Sequence, residues 1–140
     1  LLVKSLTYGP FLIKPNNYEL GEIFGVRLTT RSSVIPYAKK LQNMGARNVL
    51  VSMAGEGAVL VSDDGQVIDA PAPEGKLING VGAGDSMVAG FMAGYLARHD
   101  YNHAFCMGVA SGSASAFSEN LATKEEIEKV YKTIVLEEKV

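Results

Sequence analysis

The chain has 140 residues, of which 47% are apolar and 20% charged, with a formal net charge of -2 and no run of like charges. That supply of apolar residues is enough for one buried core, and the charge pattern argues against nucleic acid or an anionic membrane as a partner, since both recruit clustered Lys and Arg. A single cysteine, Cys106, excludes an internal disulfide framework, and no stretch is long and apolar enough to span a bilayer, so a reducing, cytoplasmic location is expected.

The opening LLVKSL has no initiator Met and lacks the charged-then-apolar order of a signal peptide, so the expectation is a single domain, 1–140, from a longer protein. LLVKSLT reads as the end of a helix stopped by Gly9-Pro10, and PFLIKP as a short buried strand closed by Pro15. NNYELGEIF predicts a short helix capped at Asn16, with Glu19 three residues later and Gly25 at its end. A second helix fits SSVIPYAKKLQNMG, with Ser33 as cap, Pro36 in the first turn, Ala38 and Leu41 on one face, and Gly45 as the stop.

NVLVSM has the continuous apolar core of a strand covered on both faces. AVLVSDDGQVID gives two β-prone runs about Asp64-Gly65, a hairpin signal, so the sheet is expected to be mixed. After the Pro-rich loop APAPEG, the spacing of Val88, Phe91, Met92, Tyr95 and Leu96 predicts a long helix from Asp85 to Arg98. YNHAFCMGVASGSASAF continues as a helix rich in small residues, and ATKEEIEKVYKTI as an amphipathic helix capped by Thr123. The order of elements predicts a layered α/β domain, a mixed sheet with a hairpin and flanking helices.

Three constellations carry chemistry. In NGVGAGDSM, residues 79–87, Gly82-Ala83-Gly84-Asp85 opens the long helix. The first N–H groups of a helix lack partners and carry the positive end of the dipole, so glycines there admit a phosphate, and a neighbouring carboxylate can take a proton from an attacking hydroxyl. The plainer alternative is a glycine turn with Asp85 as a favourable first-turn charge. Lys14-Pro15-Asn16 with Glu19 sits at the carboxyl end of the first strand, where open α/β sheets bind ligands. Asn16 and Glu19 can hold Mg²⁺ through waters and Lys14 can meet a phosphate, but Asn-x-x-Glu is equally an effective helix start.

Ser52-Met53-Ala54-Gly55-Glu56-Gly57 is a glycine turn after the second strand. It is either a plain connection or the third side of one crevice. Gly90 and Gly94, with Gly108, Ser111, Gly112 and Ser115, let two helices pack closely or offer a flat surface to a nucleotide base; His99, His103 and Cys106 read as structural. Two common glycine motifs are absent. Gly75-Lys76 is followed by Leu77 and lacks the earlier glycine of a Walker A loop, and Met87 stands where a dinucleotide fingerprint needs its third glycine.

IKPNNYEL, VSMAGEGA, NGVGAGDSMVAGF and ASGSASAFS, in this order, resemble the C-terminal half of the phosphofructokinase B-type sugar kinases of the ribokinase-like fold. The resemblance covers nearly the whole chain and leans toward the members that phosphorylate fructose 1-phosphate, with those acting on tagatose 6-phosphate as neighbours. It implies an ATP-dependent kinase with Asp85 as catalytic base and the N–H groups of Gly82, Ala83 and Gly84 as an anion hole. It further implies Mg²⁺ organised by Asn16 and Glu19, and ATP contacts from Lys14 and the Ser52–Gly57 turn (Ser52, Ala54, Gly55, Glu56, Gly57). The partners implied are a sugar phosphate and ATP, with a homodimer of the full-length enzyme left open. Two departures stand out: Gly80 occupies a position where the family usually has Thr or Ser, and the family's N-terminal half, which supplies sugar contacts and a lid, has no counterpart in these residues. A nucleotide-binding module without turnover is the rival reading.

Overall fold

The computed structural model describes residues 2–134 and 136–139; Leu1, with which the predicted first helix begins, lies outside them. The chain forms two compact units, Leu1–Ala70 with Leu136–Val140, and Pro71–Val135.

In the first unit, α1 (Leu2–Ser5) tightens into a 3-10 turn over Leu6–Tyr8 and stops at Gly9, whose φ of 61° is left-handed, as the Gly-Pro signal predicts. The sheet holds β1 (Leu12–Ile13), β2 (Asn48–Ser52), β3 (Ala58–Val61), β4 (Val67–Ala70) and β5 (Glu137–Lys139) in that spatial order. β1 and β2 are parallel, with Ile13 opposite Val49, and the remaining pairs are antiparallel. The sheet is therefore mixed, with the expected hairpin at β3–β4. β5 was not expected: EEK has no alternation and no β-branched residue, so its place is set by main-chain pairing to β4.

Between β1 and β2 run α2 (Asn17–Phe24) and α3 (Arg31–Asn43), the crossover that parallel strands require. Leu20, Val34, Ala38 and Leu41 from these helices pack with Val49, Val51, Val59 and Val61 in one core. The start of α3 differs from the expectation. Thr30, not Ser33, is the cap: its Oγ1 accepts the Ser33 N–H at 3.1 Å, and its own N–H donates to Ser33 Oγ at 3.1 Å. This reciprocal box begins the helix three residues early and puts Pro36 in the second turn. The missing N–H there would have met the Ser32 carbonyl, and since both residues are exposed, water can replace it.

Buried polar groups tie the strand ends together. Asn48, fully buried, donates from Nδ2 to the Phe11 carbonyl at 2.8 Å and accepts the Asp63 N–H at 2.9 Å. Asp69, 1% exposed on β4, is neutralised by Arg31 at 3.1 Å.

The second unit is helical, with α4 (Ala83–Arg98), α5 (Tyr101–Ala116) and α6 (Lys124–Tyr131). The small residues of α4 and α5 serve helix packing. A Cβ on Gly90 would come within 2.6 Å of the Met107 carbonyl oxygen, and one on Gly112 within 3.1 Å of that of Ala83. Ser115 Oγ donates to Ser86 Oγ across the seam at 3.0 Å. Tyr101 stacks on Tyr95 with ring centroids 4.8 Å apart.

His103 Nδ1 lies 3.0 Å from the Tyr131 hydroxyl, and burial, aided by Arg98, holds its pKa below the ordinary 6.5. Burial, aided by Asp100, pushes the Cys106 thiol up to about 11, which keeps it protonated and unreactive. These residues are structural, as the sequence suggested. Among the described residues no helix is long and apolar enough to cross a membrane. Because no space separates α4 from α5 at Gly90, Gly90→Leu is expected to cost about 1–3 kcal/mol through overpacking. A drop in the urea midpoint, with loss of near-ultraviolet dichroism from the Tyr95–Tyr101 stack, is the measurement that checks it.

Candidate active site

The first unit carries two of the three sequence-predicted constellations, and main-chain pairing sets them side by side. β1 ends at Ile13, and Lys14 and Pro15 continue extended to Asn16, which forms an isolated parallel bridge with Ser52. The Ser52 N–H donates to the Pro15 carbonyl at 3.1 Å. Beyond this bridge the two chain segments diverge, one into α2 and the other into the glycine turn.

At the head of α2, Asn16 Oδ1 accepts the Glu19 N–H at 2.8 Å and Glu19 Oε1 accepts the Asn16 N–H at 2.9 Å. The capping alternative is thus realised in full. It uses only one oxygen of the Glu19 carboxylate; Oε2 has no hydrogen-bond partner among the described residues, and Glu19 is exposed. Hard oxygen donors of this kind suit Mg²⁺. Among the described residues no three His, Cys, Asp or Glu side chains cluster as an all-protein metal cage, so a cation here would be completed by waters or substrate oxygens, the usual arrangement for Mg²⁺.

The Ser52–Gly57 turn is held by its own main chain. The Met53 N–H donates to the Gly57 carbonyl at 2.9 Å, Glu56 to Met53 at 3.0 Å, and Gly57 to Ala54 at 3.1 Å. Gly57 has φ 109° and ψ -137°, a region only glycine enters freely, and Ala54 is left-handed at φ 48° despite its Cβ. Buried Met53 anchors the turn, while Ala54, Gly55 and Glu56 project into solvent. They border a cleft of about 800 Å³ whose other wall is α2 (Asn17, Tyr18, Gly21, Glu22) and the loop from Gly25 to Thr29. Asn17 Nδ2 fixes that loop by donating to the Leu28 carbonyl at 2.9 Å. Sequence reasoning missed Asn17, Tyr18 and the loop as lining residues. The contact spans eleven positions and leaves no periodic trace.

The third constellation lies in the second unit. Asn79 Oδ1 accepts the Val81 N–H at 3.0 Å, and the N–H groups of Ile78 and Asn79 bond the Ala116 carbonyl at 2.8 and 3.0 Å, tying the loop to the end of α5. Gly82 caps α4 in a left-handed conformation (φ 81°) and offers no side chain to the first turn. The Ala83 N–H reaches the Gly80 carbonyl at 3.3 Å, so one of the three expected anion-hole donors is already engaged. The N–H groups of Gly82, Gly84 and Asp85 have no acceptor among the described residues. Asp85 is exposed in that first turn. At Gly80 a Cβ would meet only Leu77 Cδ1, at 3.9 Å, so the site has room for the missing hydroxyl residue.

The uncapped glycine start of α4, with an aspartate in its first turn, belongs to one unit, and the polar turns at the strand ends of the mixed sheet belong to the other. Residues 2–128 match the pfkB family carbohydrate kinases, and the chain belongs to that family. It is 50% identical over 129 residues to the 1-phosphofructokinase of Bacillus subtilis strain 168, covering 92% of this chain and 42% of that protein. It is 32% identical over 130 residues to the D-tagatose-1-phosphate kinase of Bacillus licheniformis, again covering 92% of this chain and 42% of that protein. A crystal structure of a candidate phosphofructokinase from Staphylococcus aureus superposes with a TM-score of 0.93 at 39% identity, covering 98% of this chain and 44% of that one. The structure of Arabidopsis thaliana ribokinase superposes with a TM-score of 0.76 at 20% identity, covering 87% of this chain and 41% of that one, so the fold is ribokinase-like; the chain spans about two-fifths of the length of the curated relatives it matches.

The capping box allows a clean separation of Glu19's two roles. Glu19→Gln keeps an oxygen for the Asn16 N–H, so α2 should be unchanged by circular dichroism. A role in holding Mg²⁺ predicts a severalfold rise in the Mg²⁺ needed for half-maximal rate in the complete kinase; an unchanged Mg²⁺ dependence would leave Glu19 as a cap alone.

Proposed function

We propose that the complete protein transfers the terminal phosphoryl group of ATP to fructose 1-phosphate, giving fructose 1,6-bisphosphate. The observation that carries this reading is the start of α4, where unpaired N–H groups and the Asp85 carboxylate share one helical turn. Phosphoryl transfer asks a protein for little covalent work: it needs the reactants held in line, charge neutralised on the transferring group, and a base for the acceptor hydroxyl.

In this reading Gly82, Ala83 and Gly84 form the anion hole, with Gly82 and Gly84 supplying the open N–H groups, and Asp85 takes the hydroxyl proton. The Ser52–Gly57 turn contacts the nucleotide, with Lys14 beside its phosphates. Asn16 and Glu19 would hold Mg²⁺, which neutralises phosphate charge when bound. Cytoplasmic residence and a homodimer of the full-length enzyme belong to the same proposal. The 50% identity to a 1-phosphofructokinase supports fructose 1-phosphate. The 32% identity to a D-tagatose-1-phosphate kinase supports tagatose 1-phosphate as an alternative acceptor beside the tagatose 6-phosphate that the resemblance implies.

Asp85→Asn in the complete kinase should lower turnover by about 10²–10⁴-fold, the usual worth of a general base, while nucleotide binding and thermal stability stay near normal. Near-normal turnover in the folded variant would remove Asp85 from that role.

Residues 1–140 alone should bind ATP weakly and phosphorylate nothing. In this reading they contain the anion hole, the base and the nucleotide turn, while the exposure of Asp85 leaves water free to enter and compete with the acceptor hydroxyl. Titration with ATP, alongside assay of ADP formation with fructose 1-phosphate and Mg²⁺, decides the matter. Sugar-dependent turnover by this chain would show that the acceptor site lies within it.

A further inference from the structure

The loop over residues 74–82 leads into the glycine start of α4, and every residue in it is exposed. Leu77, Ile78 and Val81 are 70%, 50% and 87% exposed, so its side chains bury too little to set its course. The end of α5 holds it instead. The carbonyl of Ala116, the last helical residue of α5, has no partner inside the helix and accepts the N–H groups of both Ile78 and Asn79. The next residue, Phe117, lays its ring on the main chain of Gly75: a Cβ built there would come within 2.5 Å of two ring carbons. Gly75 is not left-handed, so what it supplies is room for that ring rather than a turn. Phe117 is itself fixed to α5, since its N–H donates to the Ser113 carbonyl at 3.0 Å. One turn earlier on the same helix, a Cβ on Gly112 would come within 3.1 Å of the Ala83 carbonyl oxygen, so α5 bears both on the loop and on the first residue of α4.

We propose that Phe117 is a positioning residue for phosphoryl transfer, its contact with Gly75 setting the course of the loop into the anion hole at Gly82 and Gly84. The proposal rests on the reading of the α4 start as that anion hole and adds the side chain that directs it. Main-chain donors have no rotamers, so their directions follow from backbone dihedrals alone, and Gly80 and Gly82 leave that backbone unusually free. A loop with such freedom has to be restrained from outside. The bonds from Ile78 and Asn79 meet at one carbonyl and therefore leave a hinge there. The contact of Phe117 with Gly75, upstream of that hinge, is a second point of attachment and removes rotation about the first. Donors displaced by about 1 Å cost on the order of 10²-fold in rate, because they no longer meet the charge on the transferring group.

The test is made in the complete kinase with Phe117→Ala, Gly75→Ala and the double variant; the first removes the ring and the second drives it off the loop. Each single variant should lower kcat by about 10–100-fold, while the sugar-phosphate KM changes by less than about twofold. Because both substitutions break one contact, the double variant should be no slower than the worse single one. Phe117→Leu, which keeps apolar bulk against Gly75, should recover part of the rate lost in Phe117→Ala. Hydrogen exchange should quicken at Ile78 and Asn79 and stay slow over residues 105–112 of α5. Unchanged kcat in both folded single variants would overturn the proposal. So would losses that multiply in the double variant, or rapid exchange throughout α5, which would make Phe117 a support of the helix alone. If Phe117→Ala does not fold, Gly75→Ala decides by the same readings. An inactive parent would refute the kinase reading and this proposal with it, whereas an active parent with unaffected variants overturns this proposal alone.

Discussion

The geometry of the first unit depends on the parallel pairing of β1 with β2 and its extension by one hydrogen bond, from the Ser52 N–H to the Pro15 carbonyl at 3.1 Å. Parallel strands end on the same side of a sheet, so the segments that follow them leave from adjacent points. That single constraint places the head of α2 beside the glycine turn. It also explains why such a short β1 suffices, since the strand needs only to reach the bridge at Asn16. The buried Asn48 amide, which bonds Phe11 on one side and Asp63 on the other, supports the opposite end of the same pairing.

Structural and functional readings of one residue are often set against each other, and the head of α2 shows why they need not compete. Asn16 and Glu19 satisfy each other's main chain, which fixes both side chains in place, and the carboxylate oxygen left over remains available. A capping box is thus a means of preorganising a ligand group at no additional entropic cost. The turn after β2 follows a different logic. Its shape is held by main-chain bonds and by a left-handed Ala54, a conformation that alanine adopts only when its surroundings enforce it.

Much of this was legible in the sequence because the signals are local. Gly9-Pro10, Asn16 with Glu19, Gly25, Asp64-Gly65 and Thr123 each mark a boundary through residues no more than three positions apart, and each boundary appears where expected. The start of α3 was misplaced because Thr30 and Ser33 are both good caps, and their reciprocal bonding makes the upstream residue the true one. β5 could not be read from EEK, since its pairing with β4 lies in main-chain groups that every sequence possesses. Of the candidate site, the motif residues were visible as glycines and charges in unusual density. The cleft was not, because it arises from Asn17 holding a loop eleven positions away. The engagement of the Ala83 N–H by Gly80 likewise depends on a turn geometry that composition does not encode.

The uncapped start of α4 presents peptide N–H groups rather than side chains. Peptide nitrogens neither titrate near neutrality nor react with the reagents that label lysine, histidine or cysteine. A phosphate held there would feel the same donors from mildly acid to mildly alkaline solution. Such a surface depends on glycine for close approach, Gly82 at its left-handed φ of 81° above all, although the donors themselves belong to the main chain. It is correspondingly blind to identity, and discrimination among phosphorylated ligands has to be supplied by side chains elsewhere.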